Sequence, residues 1–314
     1  MKPVLRIPRY DAGFWRATAR WGASRLPRWW LRWSPGPIGV GIGVAQERVR
    51  DLVRENLRLV HGQRSAVVEA LDTASTLANY GHCLAEGFAA ASDDPPVFRY
   101  TVEGRENLLR ARDAGEGAIL VTAHAGSWDV AGGVMNLRGF DLAIAMAPER
   151  DEKARRISDE ARARVGVKVF HVGEDPLSAL PLAQHVRKGG AVALQIDRVP
   201  PGMRSRATTF FGKPWLVPLG PFQLAQVTGA PLIPVFTARL DYAHHLVKSE
   251  GPIFVPRRAS SAELDAAIAS AMGAVERFVR RFPTQWFHFA PHPLAEESYL
   301  DVVDRRAEEQ SRQD

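Results

Sequence analysis

The stretch of sequence that decides the fold is AILVTAHAGSWD, residues 118–129. Its first six residues, 118–123, form an apolar run of strand length, which predicts a buried β-strand. Gly126 permits a tight turn, and a helix is predicted to begin near Ser127. Ligands gather at the carboxyl ends of the strands in open α/β sheets. His124, which follows the predicted strand directly, is therefore expected to face a binding site.

Apolar runs and helical patterns alternate through the rest of the chain. The other predicted strands are residues 142–147, 167–172, 191–196 and 232–238. The predicted helices are residues 45–62, 65–91, 130–137, 151–165, 177–188, 220–228 and 262–281, followed by an apolar run at 285–290. Buried strands that alternate with helices predict an α/β fold with a mostly parallel central sheet flanked by helices. His244 and His245 are predicted to lie in a loop.

The net charge of +6 is concentrated at the N-terminus. Residues 1–33 contain eight Lys or Arg and one acid, and they also contain five of the eight tryptophans. The remaining residues have 33 basic and 34 acidic side chains, so the rest of the chain is almost neutral. Arginine and tryptophan are typical of segments that lie on an anionic membrane surface. Two alternatives remain open: packing of the tryptophans on the body, and binding of single-stranded nucleic acid.

Three regions are predicted: a membrane-contacting, helical arm at 1–43, a catalytic domain at 44–295, and a polar tail at 296–314. Within the arm, Pro35 and Pro37 with Gly39, Gly41 and Gly43 are interpreted as a connector. No apolar window is long enough for a spanning helix, and arginines interrupt every candidate signal sequence, so the body is expected in the cytoplasm. One cysteine excludes an internal disulfide framework, and no metal site is predicted.

The chemistry is predicted from His124 and Asp129. Asp129 falls in the first turn of the predicted helix, where its carboxylate would reach the imidazole and fix its tautomer. No GxSxG motif occurs, so a nucleophilic serine is not indicated. His124 would then deprotonate a hydroxyl that attacks an activated acyl carbonyl. On spacing alone, HxxxxD has little specificity, and a capping or core arrangement remains open.

The segment 124–129 resembles the HX4D/E block of the lysophospholipid acyltransferase superfamily. It is similar in particular to the branch of the bacterial lipid A lauroyl/myristoyl acyltransferases, which also includes phosphatidylinositol mannoside acyltransferase. Other blocks of that branch have similar counterparts in the same order at residues 162–166, 189–198, 210–212, 218–221, 228–234 and 283–286. The resemblance covers about residues 45–292.

This resemblance implies transfer of an acyl group to a hydroxyl of a lipid or glycolipid. The donor would be a thioester of acyl carrier protein or CoA, with no cofactor and no nucleic-acid partner. The reaction would occur at the cytoplasmic face of the inner membrane, against an anionic surface. It implies His124 as the base and Asp129 as its orienting partner. Backbone amides near Gly126 and at the helix start are expected to stabilise the oxyanion.

Five further residues are predicted to bind substrate: Arg164, Asp197, Arg198, Phe211 and Gly212. Arg164 would bind a phosphate of the acceptor or of the phosphopantetheine arm, or else it is a solvated helix residue. Asp197 would orient Arg164 or substrate, or form a structural salt bridge. Phe211 would line an acyl-chain tunnel or belong to the core.

Two rival functions share these features. A thioesterase would use His124 and Asp129 to activate water. A non-enzymatic binder would use only the N-terminal arm at a membrane or nucleic acid.

Overall fold

The computed structural model describes residues 13–137, 139–147, 151–173, 179–200 and 202–292. The predicted tail at 296–314 and the first twelve residues of the predicted arm lie outside this set. The helices are α1 (Gly13–Arg25), α2 (Arg28–Trp33), α3 (Pro35–Val44), α4 (Glu47–His61), α5 (Ala66–Ala90), α6 (Arg105–Ala114), α7 (Trp128–Leu137), α8 (Glu152–Arg164), α9 (Leu180–Arg187), α10 (Gly220–Thr228) and α11 (Ser261–Arg281).

The strands are β1 (Arg99–Glu103), β2 (Ala118–Thr122), β3 (Leu142–Met146), β4 (Lys168–His171), β5 (Ala191–Gln195), β6 (Ser205–Phe210), β7 (Lys213–Pro218), β8 (Leu232–Asp241) and β9 (His244–Ser249). Seven of them form one sheet in the order β1-β9-β8-β2-β5-β3-β4. Only the β8–β9 pair is antiparallel in that sheet, while β6 and β7 form a separate antiparallel hairpin. The predicted α/β fold with a mostly parallel central sheet is confirmed.

Alternation along β2 shows why the sheet has helices on both faces. Ile119 and Val121 belong to the larger core with α9, α10, α11 and the β6–β7 hairpin. Ala118 and Leu120 point to the opposite face and pack with residues of α6 and α7. Successive side chains of a strand point to opposite faces, and all four are almost fully buried, so β2 requires cover on both sides.

Two local predictions are wrong. His244 and His245 begin strand β9 rather than a loop, because β9 pairs with both β1 and β8 and is thereby drawn into the sheet. The glycine-rich segment is helix α3 rather than a connector. Pro35 occupies the first turn of α3, where the missing N–H of proline costs no hydrogen bond.

The glycines of α3 allow its backbone to lie directly against α5. A Cβ atom at Gly39 would lie 2.4 Å from the carbonyl oxygen of Leu77, and one at Gly81 would lie 2.3 Å from that of Pro35. Such approaches are impossible for any residue with a side chain. Residues 35–44 are therefore held against the body by direct packing of two helical backbones.

The N-terminal part of the chain is helical from residue 13 and leaves several large apolar side chains exposed. They are Phe14, Trp21, Trp29, Trp30, Trp33, Ile38 and Val44. No helix in the described ranges is both long enough and apolar enough to cross a membrane.

The contact between α3 and α5 predicts different results for two glycines of one helix. Gly39→Ala should lower the free energy of unfolding by about 2 kcal/mol, because the new methyl group must displace the backbone of α5. Gly41→Ala is the matched control, since its Cβ would have nothing within 4 Å. That control should be neutral or stabilising by up to about 1 kcal/mol through helix propensity. Urea unfolding followed by circular dichroism measures both; equal effects would contradict the close-packing argument.

Candidate active site

His124 lies at the carboxyl end of β2, beside the carboxyl end of the neighbouring parallel strand β5. The register pairs Thr122 with Gln195. His124 and Asp197 each follow these paired residues by two positions, so the two side chains emerge side by side at the same edge of the sheet. The expected position of His124 at a strand end is confirmed, but its neighbour across the sheet was not foreseen.

The imidazole of His124 pairs with the carboxylate of Asp197. Their Nδ1 and Oδ1 atoms are 2.7 Å apart, and the backbone N–H of His124 also donates to the carboxylate, at 3.1 Å from Oδ2. The indole N–H of Trp286 donates to Oδ2 at 2.9 Å. Asp197 is fully buried, whereas the side chain of His124 is 20% exposed. A buried carboxylate thus orients a histidine that solvent and substrate can reach.

Burial is the largest influence on the pKa of Asp197 and opposes ionisation. The opposing effects are the charge and hydrogen bond of His124, the charge of His288 and the N–H of Trp286. Together they outweigh burial and hold the pKa of the carboxyl well below its usual range. Asp197 is therefore ionised at neutral pH although no part of it is exposed.

Asp129 has a different partner from the one expected. Its Oδ1 accepts from Nε of Arg162 at 2.9 Å, and the guanidinium of Arg162 stacks over the ring of Trp128 at 4.6 Å. Asp129 lies in the first turn of α7, and its contact with Arg162 directs its side chain toward α8. The predicted pairing of His124 with Asp129 is corrected: Asp197 is the carboxylate on the imidazole, and Asp129 joins α7 to α8.

The arginine that was predicted to bind phosphate, Arg164, is also not the buried one. Arg164 is exposed, and its Nη1 donates to Asp93 at 2.9 Å. The prediction that Asp197 orients Arg164 is wrong, because the carboxylate of Asp197 is bound to His124 and the guanidinium of Arg164 to Asp93. Arg162, two residues earlier, is 5% exposed and was missed. The signal available in the sequence is the position of Arg162 on the inward face of α8. A buried arginine is rarely without a partner, so this position indicates a partner nearby.

Arg198 contacts the other nitrogen of the imidazole. Its Nη2 lies 3.0 Å from Nε2 of His124. A guanidinium can only donate hydrogen bonds, and so can only face a nitrogen that bears a lone pair. In this arrangement Nδ1 carries the proton and donates it to Asp197, and Nε2 is the basic atom.

Phe211 and Gly212 form the two-residue turn of the β6–β7 hairpin. Both have positive φ, 50° and 73°, a combination that matches the right-handed twist of hairpins and that glycine adopts readily. The backbone N–H of Phe211 donates to Glu276 at 2.9 Å, and its ring lies 6.5 Å from that of Trp286. The turn is thus anchored to α11 beside the indole that binds Asp197. Substrate binding by Phe211 and Gly212 stays a prediction.

Residues 285–287, here named the C-terminal clasp, hold the loop after β2. The carbonyl of Gln285 accepts from the N–H of Gly126 at 3.0 Å, and the N–H of Phe287 donates to the carbonyl of His124 at 2.6 Å. The side chain of Gln285 in turn binds the backbone N–H and carbonyl of Arg239, both at 2.7 Å. The Gly126 amide is therefore occupied by this contact, and stabilisation of an oxyanion by the other amides at the start of the helix stays a prediction.

Aromatic rings surround the buried side of the His124–Asp197 pair. The indole N–H of Trp215 donates to the backbone carbonyl of Asp197 at 3.0 Å. The ring of His288 lies between those of Trp215 and Trp286, with centroids 5.3 and 5.2 Å away. Burial lowers the pKa of His288 to about 4. His288 is consequently neutral at physiological pH, and its charge supports the ionisation of Asp197 only in acid, where both residues titrate.

The arrangement supplies a general base. An imidazole with Nδ1–H bound to an ionised carboxylate presents Nε2 to accept a proton, and the carboxylate stabilises the imidazolium that results. The network was largely invisible from sequence, because Trp215, Gln285 and Trp286 lie far along the chain and none is titratable.

Comparisons with known proteins identify the family to which the chain belongs. The profile of the family described as bacterial lipid A biosynthesis acyltransferase matches residues 1–292, and the chain belongs to that family. Phosphatidylinositol mannoside acyltransferase of Mycolicibacterium smegmatis is 27% identical over 264 residues, 81% of each chain. Its namesake from Mycobacterium tuberculosis is 27% identical over 272 residues, 83% of this chain and 81% of the relative. Lipid A biosynthesis palmitoleoyltransferase of Escherichia coli is 26% identical over 301 residues, 87% of this chain and 95% of the relative.

The two indoles that contact Asp197 predict a measurable difference. Trp286→Phe removes a donor to a charged carboxylate, whereas the matched variant Trp215→Phe removes a donor to a neutral carbonyl. Both lose the same volume, so Trp286→Phe should cost about 1 kcal/mol more free energy of unfolding at pH 7.

The free energy of unfolding should fall on acidification because of Asp197. The depressed pKa of Asp197 contributes stability above its unfolded pKa of about 3.9, and that stability is lost as pH falls through the folded pKa. Trp286→Phe raises the folded pKa toward the unfolded value, so the stability that Asp197 loses on acidification should be smaller than in the parent and its loss should be complete at higher pH. Urea unfolding by circular dichroism between about pH 3 and 7 measures this; indistinguishable curves for the two variants would count against the Trp286–Asp197 contact.

Proposed function

We propose that this member of the bacterial lipid A biosynthesis acyltransferase family transfers a fatty acyl group from a thioester to a hydroxyl of a lipid or glycolipid. The observation that carries the proposal is His124, oriented by the buried Asp197, with its basic nitrogen directed to the exposed side. The relatives act on phosphatidylinositol mannoside or in lipid A biosynthesis, as their names state. The acceptor proposed here is a glycolipid of that kind.

The proposed reaction is a single displacement. Nε2 of His124 accepts the proton of the acceptor hydroxyl while its oxygen forms a bond to the thioester carbonyl carbon. The tetrahedral intermediate then expels the thiolate as the C–S bond breaks, and the imidazolium returns the proton to sulfur. Atoms balance without an acyl-enzyme, a metal ion or a cofactor. Asp197 stabilises the imidazolium between these two proton transfers.

The two acids near His124 have different proposed roles. Asp197 orients the imidazole directly, through Nδ1. Asp129 acts indirectly. Its contact with Arg162 joins the start of α7 to α8 and so supports the loop that carries His124. Its proposed role is therefore that of a positioning residue.

The donor is proposed to be a thioester of acyl carrier protein or CoA. A thioester is activated enough for direct attack by an alcohol, and the site has a base to deprotonate that alcohol. Phe211 and Gly212, at the hairpin tip beside Trp286, remain proposed contacts of the acyl chain. Arg164 remains a proposed phosphate ligand only if its contact with Asp93 opens, since that exposed ion pair is weak.

The exposed tryptophans support attachment to an anionic membrane surface. Trp29 and Trp33 are 63% and 66% exposed on α2, and Arg25, Arg28 and Arg32 are adjacent in sequence. Indole rings favour the membrane–water interface, and arginine reaches anionic headgroups. The proposed location is the cytoplasmic face of the inner membrane, where the lipid acceptor would be within reach of His124.

Variants of the three site residues should differ in rate. His124→Ala and Asp197→Asn should lower acyl transfer by about 10³-fold, because each removes the oriented base. Asp129→Asn should lose less, about tenfold, since it weakens only the contact with Arg162. The assay pairs palmitoyl thioesters of CoA and of acyl carrier protein with phosphatidylinositol mannoside and a lipid A precursor, and detects products by mass spectrometry.

The same assay separates rival functions. Free fatty acid without any acylated lipid, under conditions in which His124→Ala is inactive, would identify a thioesterase. Full transfer by His124→Ala would overturn the mechanism. A larger loss in Asp129→Asn than in Asp197→Asn would restore the pairing of His124 with Asp129.

Membrane attachment is tested independently of chemistry. The double variant Trp29→Ala/Trp33→Ala should sediment with phosphatidylglycerol-containing vesicles about tenfold less tightly than the parent, because two interfacial rings are lost. Phe254→Ala is the matched control, since Phe254 is 68% exposed but belongs to a different part of the chain. Equal loss in the control, or equal binding to pure phosphatidylcholine vesicles, would contradict the assignment of this surface.

A further inference from the structure

Arg198 occupies the atom on which the proposed chemistry depends. Its Nη2 donates to Nε2 of His124 at 3.0 Å. A neutral imidazole has one in-plane lone pair at that nitrogen, so it can accept one strong hydrogen bond at a time. The guanidinium and the hydroxyl of an acceptor lipid therefore compete for the same lone pair.

In the described part of the chain, Arg198 lacks a carboxylate partner of the kind that the two arginines nearest to complete burial have. Arg162 is paired with Asp129, and Arg239 with Glu86, at 2.9 and 2.8 Å. Within the residues that the structure describes, Arg198 has no carboxylate within salt-bridge distance, and its one hydrogen bond is to an uncharged nitrogen. The guanidinium is therefore held by a contact that is weaker than a charge-assisted pair with a carboxylate.

We propose that Arg198 is a specificity-determining residue that masks the base until a phosphoryl group on a bound substrate draws its guanidinium away. The inference rests on the proposed role of His124 as the general base. In the free enzyme the donated hydrogen bond denies Nε2 to water. When a phosphate binds Arg198, Nε2 is exposed to the hydroxyl that arrives with it.

Phosphate is the ligand that this geometry favours. The planar guanidinium donates two parallel hydrogen bonds to phosphate oxygens, and a charge-assisted pair of this kind is stronger than a bond to a neutral nitrogen. Two substrates contain such a group: the headgroup of a phosphorylated lipid and the phosphopantetheine arm of the donor. Either displaces Arg198 by the same chemistry.

Masking has a consequence for selectivity between transfer and hydrolysis. A water molecule bound at an open Nε2 would be activated in the same manner as an alcohol and would hydrolyse the thioester. With Arg198 in place, the base becomes available only together with a phosphorylated substrate. Removal of Arg198 is therefore expected to raise the ratio of thioester hydrolysis to acyl transfer.

The mask is tested on the full chain without any substrate, with diethyl pyrocarbonate, which acylates neutral imidazole nitrogens. Nδ1 of His124 is bound to Asp197, so the reagent reaches only Nε2. At about pH 8, where an ordinary histidine is neutral, His124 should be labelled about fivefold faster in Arg198→Gln than in the parent. Peptide mass spectrometry quantifies the label, with the exposed His61 as internal reference.

Arg281→Gln is the matched control, because it removes another exposed arginine, which is paired with Glu103 instead. It should leave the labelling rate of His124 unchanged. Arg198→Lys retains the charge and a donor and should label at an intermediate rate. Equal labelling of His124 in the parent and in Arg198→Gln would contradict the proposal that Arg198 masks Nε2.

Ligand displacement uses inorganic phosphate, free CoA and phosphatidylinositol vesicles as separate additions. Acceleration of His124 labelling by phosphate in the parent, but not in Arg198→Gln, supports the proposal; CoA and the vesicles then show which substrate supplies the phosphate. No acceleration by any of the three would overturn it. Failure of the parent to transfer acyl groups would refute the proposed function while leaving these labelling results to judge the mask.

Discussion

The carboxylate of Asp197 is ionised and entirely buried, and much of the surrounding structure follows from the need to compensate that charge. An isolated carboxylate would be neutralised by protonation in such a place. Here the backbone and side chain of His124 donate to it, and the indole of Trp286 donates to the remaining oxygen. These donors come from the segment after β2 and from the C-terminal clasp, while the carboxylate itself comes from the segment after β5. Parts of the chain far apart in sequence are therefore held in one arrangement by a single buried charge.

The same compensation determines the chemistry of the imidazole. Since the N–H of Nδ1 donates a hydrogen bond to Asp197, the lone pair of the ring lies at Nε2. The clasp prevents the ring from drifting, because Phe287 binds the carbonyl of His124 and Gln285 binds the amide of Gly126. The cost is that this amide is no longer available to stabilise an oxyanion. Positive charge at the mouth of the site comes instead from Arg198, which is adjacent to the basic nitrogen.

The features of the site that could be predicted are those that depend on residues close together in the sequence. The strands that end at His124 and Asp197 are apolar runs of ordinary length, and both could be located from sequence. What periodicity does not contain is the order of strands: β5 is next to β2 although β3 and β4 intervene along the chain. Once that order is known, the parallel register places the two residues at equal offsets. Asp129, the acid closest to His124 along the chain, was predicted as its partner instead. At a strand end, proximity along the sequence was the wrong criterion for finding that partner.

Helix α3 illustrates a second limit, in which composition misleads. Glycine is unfavourable in an isolated helix, so a segment with four glycines in ten residues favours a loop by propensity alone. Packing reverses the preference, because only glycine permits the approach of Gly39 to the carbonyl of Leu77. The helix exists through its contact with α5, and α5 in turn extends from this contact to Gly87, which packs against Asp129. The N-terminal segment with the exposed tryptophans is thereby joined, through one long helix, to the loop that carries the base. Attachment through the exposed tryptophans, as proposed above, would then hold His124 at a constant distance from the membrane, as the proposed transfer to a lipid acceptor requires.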